Sequence, residues 1–69
     1  MSTIAVLKEN LIRLPEVKRR TGYSKAWIYK LISAGAFPKQ VKLGARSVAF
    51  IESEVDNWIA QRIAESRAA

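Results

Sequence analysis

Cysteine and histidine are both absent from this 69-residue chain. The first absence excludes disulfide staples and thiolate metal sites, and the second removes the commonest metal ligand and general base. No pairing of a nucleophile with a base, no metal-ligand set and no phosphate-binding glycine loop can be found among the remaining residues. The sequence therefore predicts a protein that is not an enzyme, with no metal, no cofactor and no small-molecule substrate. Long apolar runs are missing as well, none approaching the roughly 20 residues that cross a bilayer. The N-terminal MSTIAVLKEN lacks a basic stretch ahead of an apolar one, so a cytoplasmic protein without a membrane partner is expected.

Acidic residues are scarce where it matters most. Between residues 11 and 50, Arg13, Lys18, Arg19, Arg20, Lys25, Lys30, Lys39, Lys42 and Arg46 face the single acid Glu16. Residues 51–69 reverse the balance, with Glu52, Glu54, Asp56 and Glu65 against Arg62 and Arg67, and the whole chain carries a formal charge of +6. A chain this short forms one domain that buries only about 60% of the surface its unfolded form exposes. Nine cations on so small a body read as an electrostatic footprint for a polyanion.

Glycine and proline are few, and each marks a boundary. Residues 1–10 show no periodicity and are expected to be a flexible lead-in to a domain spanning 11–64, with a frayed tail at 65–69. Leu11 or Ile12 can supply a short extended piece. Pro15 suits the start of a helix and Glu16 its positive end; that first helix runs to about Thr21, where Gly22 can take a left-handed conformation. Ser24 is a good N-cap for a second helix, 25–34, closed by Gly35. With Ile28 turned inward, a rotation of about 100° per residue sets Leu31 and Ile32 beside it and sends Ala26, Lys30 and Ser33 outward, with Trp27 and Tyr29 on the flanks. Two short helices separated by a glycine-containing tight turn have helix-turn-helix spacing. Beyond Pro38, KQVKLGARSVAFI alternates as a β-hairpin around Gly44, Ala45 and Arg46, and Leu11 or Ile12 can add a third strand. Ser53 and Asp56 approximate a capping box for a third helix, whose stripe is Val55, Trp58, Ile59 and Ile63.

A helix anchored by one stripe leaves its opposite face and first turn free, and such a face fits the major groove of B-DNA. The candidate recognition residues are Ser24, Lys25, Ala26, Trp27, Tyr29 and Lys30. Trp27 lies at the edge of the inward face, where it can pack against the hairpin or meet DNA or a partner. The hairpin, residues 39–50, would grip adjacent backbone or the minor groove through Lys39, Lys42, Arg46 and Ser47. Lys18, Arg19 and Arg20 on the first helix are candidates for phosphate contact, with a solvated face as the plain alternative. Glu52, Glu54 and Asp56 are best explained as acids complementing a helix N-terminus.

The segments LPEV, TGYS, IYKLI, GAFPKQVKLGAR and SEVDNWI, in this order and spacing, resemble the AlpA-type regulators of prophages. The resemblance extends over residues 11 to 63. It implies a mainly α fold with a small β-hairpin wing, a winged helix-turn-helix related to MerR DNA-binding domains and to phage excisionases. It also implies a transcriptional regulator whose partner is double-stranded DNA, in a bacterial cytoplasm and nucleoid-associated when bound. Trp27 stands where such proteins usually carry a small hydroxyl residue, and Phe50 where they often carry tryptophan. Two further readings stay open from the sequence: an excisionase-like recombination directionality factor working with a recombinase or integrase, and a protein-interaction module such as an antirepressor. No separate dimerisation helix is apparent, so self-association would be assisted by DNA or would use the C-terminal helix.

Overall fold

A computed structural model describes residues 9–68. Residues 1–8, and with them most of the expected lead-in, lie outside the described residues, as does residue 69. The element order is β1 (Leu11–Ile12), α1 (Leu14–Thr21), α2 (Lys25–Ser33), β2 (Val41–Lys42), β3 (Val48–Ile51) and α3 (Glu52–Ala68).

Local chemistry explains where the first two helices stop. Gly22 has φ of 77° and donates its N–H to the Lys18 carbonyl at 2.8 Å, closing α1 with a left-handed residue. Thr21 then stitches the turn: its hydroxyl donates to the Val17 carbonyl at 2.8 Å and accepts from the Tyr23 N–H at 3.2 Å. Two residues on, the Ser24 hydroxyl accepts from the Trp27 N–H at 3.2 Å and caps α2. At the other end Gly35, at φ of 74°, donates to Ile32, and Ala36 donates to Leu31. This paired closure satisfies carbonyls that the end of a helix would otherwise leave open.

The three strands form one antiparallel sheet in the order β1-β3-β2. Leu11 and Ile12 pair with Ile51 and Phe50, and Val41 and Lys42 pair with Ala49 and Val48. The Ser47 carbonyl accepts from the N–H groups of Leu43 and Gly44, so the hairpin tip falls on residues 44–46. Central β3 contributes the fully buried Ala49 and Phe50. Phe50 joins Val17 of α1, Ile28 of α2, Phe37 and Val55 of α3 in the core, with Ile12, Leu14, Tyr23, Leu31, Ile32, Trp58 and Ile59 packed around it. Trp58 behaves as a core-edge residue: its ring meets Phe37 edge-on at 4.8 Å, and its indole N–H donates to the Ala36 carbonyl at 2.7 Å. The architecture is a winged helix-turn-helix, mainly helical with a small β-hairpin wing, as the sequence predicts.

α3 departs from expectation at both ends. It begins directly after β3, at Glu52, so Ser53 lies inside the helix and the Ser53–Asp56 capping box does not form. Ser53 donates instead to Glu9 at 2.8 Å, and Asn10 exchanges bonds with Glu52, which ties the described part of the lead-in to the start of α3. The helical backbone continues past Ala64 to Ala68, and Ile63 is 48% exposed because the stripe outruns the body it packs against.

Arg20 joins α1 to α3. Its guanidinium donates to Glu16 at 2.7 Å, to Glu52 at 2.9 Å and to Asp56 at 3.0 and 3.1 Å. Hydrogen bonds from Arg19 and then Arg20 hold the Glu16 carboxyl down at about 2, and bonds from Arg20 and then Asn10 lower Glu52. The same three carboxylates raise Arg20, with Glu16 the largest influence.

Two predictions follow from this construction. Alanine at Gly22 meets no neighbour within 4 Å, so its penalty is conformational alone. A left-handed non-glycine residue costs about 1–2 kcal/mol. Gly22→Ala is therefore expected to lower the melting temperature by roughly 4–16 °C in a domain of this size, whereas Gly44→Ala, also with open space around it and no left-handed φ, should leave it nearly unchanged. The acid clasp generates the second. A carboxylate depressed in the folded state contributes its stability above its unfolded pKa, 4.5 here, and loses it as pH falls toward about 2. Melting temperature should thus fall across that window, and Arg20→Ala should both lower the plateau near neutrality and flatten the acid limb.

Candidate nucleic-acid interface

The buried stripe of α2 decides which side chains face outward. Ile28 has no exposure, and Leu31 and Ile32 pack beside it. Ser24, Lys25, Ala26, Trp27 and Lys30 are exposed, and Tyr29 is half-buried. Ser24 presents the N-terminal turn while its hydroxyl caps the helix. Trp27, 42% exposed, leans its ring against the edge of Tyr23 at 6.3 Å. Lys30 Nζ lies 5.0 Å from the centre of the indole ring. An ammonium over an aromatic face is attracted to its quadrupole, so Trp27 positions Lys30 as well as presenting apolar surface.

The wing supplies the second group. Lys39, Lys42 and Arg46 are exposed, and Ser47 is half-buried, its carbonyl closing the hairpin. Lys42 lies opposite Val48, which shares a sheet face with Phe50 because alternate residues of a strand point the same way. Lys42 therefore looks toward α2 and not toward the outer face of the sheet. Lys39 and Lys42 line a cleft of about 370 Å³ with Gln40, Val48 and Ile32, the last from the final turn of α2. Helix end and wing base thus share one groove with two cations on it.

On α1 the three basic residues separate. Lys18 is exposed and makes no ion pair among the described residues. Arg19 is exposed but donates from Nε to Glu16 at 2.9 Å. Arg20 is held by Glu16, Glu52 and Asp56, so the phosphate role expected of it gives way to a structural one. The acids of α3 are correspondingly more than helix-end charges. Glu52 and Asp56, four residues apart, project from one face of α3 onto the same guanidinium.

Among the described residues no cluster of acidic side chains could hold a metal ion, and no helix is long and apolar enough to cross a membrane. Sequence reasoning missed Gln40, which sits in the groove between two lysines. Its only signal was an uncharged polar side chain between Lys39 and the strand Val41–Lys42.

Comparison with known proteins bears on this geometry. The family model for the prophage CP4-57 regulatory protein AlpA matches residues 10–63. An uncharacterised protein, ORF88, of Enterobacteria phage P4 is 48% identical over 59 residues, covering 86% of this chain and 67% of the phage protein. The DNA-binding transcriptional activator AlpA of Escherichia coli K12 is 40% identical over 58 residues, covering 75% of this chain and 83% of the relative. No solved structure matches significantly. Family match, two relatives and the winged architecture converge: the chain belongs to the AlpA family of prophage regulatory proteins.

Proposed function

We propose that this protein is a DNA-binding transcriptional regulator of a prophage or related mobile element, with α2 as its recognition helix in the major groove. The observation that carries this reading is the outward face of α2. Lys25, Ala26, Trp27 and Lys30 are exposed, as are Lys39, Lys42 and Arg46 of the wing, and none of these cations forms an ion pair among the described residues. Family membership and the activity named for the E. coli relative support it. An α-helix fits the major groove, and a small residue such as Ala26 permits close approach to base edges. Lys25, Tyr29 and Lys30 are the candidates for base contact. Arg46 at the wing tip, with Lys39, would hold adjacent backbone or the minor groove, and Lys18 would meet phosphate beside the helix. A single module of this kind covers roughly 600–1,000 Å², so two copies pairing on DNA would supply specificity that one lacks.

Affinity for duplex DNA should fall steeply with salt. About five neutralised phosphates give a slope of log K against log salt near −4 to −5, measurable by fluorescence anisotropy; a flat response would contradict the proposal. Lys30→Ala should lower the ratio of operator to random-sequence affinity by about 10-fold, the loss of one base contact. Arg46→Ala should weaken both DNAs alike and reduce the salt slope by about 1. The same titrations check both variants.

A further inference from the structure

Among the described residues, one side-chain oxygen is enclosed without a partner: Oε1 of Gln40. No hydrogen bond in the described structure uses either end of this amide. Folded proteins satisfy nearly all buried polar groups, so an orphaned acceptor is a local cost that folding alone does not explain. Such costs concentrate where a structure is built for a ligand. Gln40 immediately precedes β2 and is one of the residues around a cleft of about 370 Å³, the others being Lys39, Lys42, Val48 and Ile32; its Oε1 lies just beneath that surface. The cleft therefore joins two apolar side chains, Ile32 and Val48, to two lysines. The enclosed carbonyl sits where the recognition helix and the wing meet.

We propose that Gln40 is a base-reading residue, a role that rests on the DNA-binding reading above and deepens it. Lys39 and Lys42 draw phosphates to the two sides of the cleft, and the Gln40 amide turns about its own side-chain torsions to meet a base edge between them. The amide offers one acceptor and one donor side by side. In the major groove adenine offers the complement, the N6 amino donor and the N7 acceptor, so the preferred base is adenine. Docking exchanges an unpaired carbonyl for a paired one, so the cost carried by the free protein is recovered only on the matching base.

The test combines base selection with thermal melting of the free protein. Gln40→Met keeps the length of the side chain and removes both polar atoms, and Gln40→Glu keeps only acceptors. Selection from a randomised duplex library is expected to show one adenine position for the wild type. That preference should disappear in Gln40→Met with the other positions intact, and move toward cytosine, whose N4 amino group is a donor, in Gln40→Glu. Discrimination at that position should drop about 10-fold while affinity for random DNA stays unchanged. Gln40→Met should melt at or above the wild-type temperature, since it removes an unsatisfied buried atom. A lower melting temperature would overturn the proposal, because the amide would then have a structural role. An unchanged base profile in Gln40→Met, or an equal loss at every position, would overturn it as well. If the wild type binds no duplex at all, the DNA-binding reading falls and this one with it; if the wild type selects an operator and Gln40→Met selects the same one, only the role of Gln40 falls.

Discussion

Ile28 has no exposed surface, and on that one burial the orientation of α2 depends. Val17 of α1, Phe37 of the loop after α2, Phe50 of β3 and Val55 of α3 complete the cluster around it. Burying a side chain of this size contributes about 1.5–3 kcal/mol, so in a core this small each member carries a large share. The consequence for function is geometrical. Once Ile28 is turned inward, 3.6-residue periodicity leaves Ala26, Lys30 and the N-terminal turn no direction but outward. The glycine-closed ends of α1 and α2 keep the two helices short, so the outward face of α2 is held close to the core without a long lever.

Electrostatics then sorts the surface into two regions. Glu16, Glu52 and Asp56 converge on Arg20, whose side chain is only 22% exposed, and this clasp holds α1 against α3. It also gathers three acids into one place. Lys25, Lys30, Lys39, Lys42 and Arg46 keep their charge unmatched by any carboxylate among the described residues. With three of its acids drawn onto Arg20 and the cations of α2 and the wing unpaired, the protein has a surface there suited to a polyanion.

Much of this was legible in the sequence because it is written in neighbouring residues. Ser24 as a cap, Gly22 and Gly35 as helix ends, and the alternation of Val41 and Val48 through Phe50 act locally, and all three elements form where those signals place them. The pairing of β1 with β3 was legible too, since a two-stranded hairpin alone would be marginal. What escaped depends on partners distant in the chain. Arg20 reads as one more basic residue of a surface helix until Asp56, 36 positions later, is folded against it. Ser53 looks like a cap until β3, paired with β1 and β2, runs straight into a helix that starts at Glu52, and its hydroxyl then donates to Glu9. Periodicity places Ile63 on the apolar stripe of α3 but carries no information on how far the neighbouring body extends, and the residue is 48% exposed and outside the core cluster. Gln40 escaped because an unsatisfied atom has no signature in a list of residues.

The central claim is that α2 and the wing together form the surface that meets DNA. Amide chemical shifts followed by NMR during titration with a short duplex at low salt test it most directly. The account predicts that perturbations concentrate on residues 24–30 and 39–47, with the second half of α3, residues 61–68, unaffected. Perturbations confined to α3, or none along α2 at saturating DNA, would contradict it.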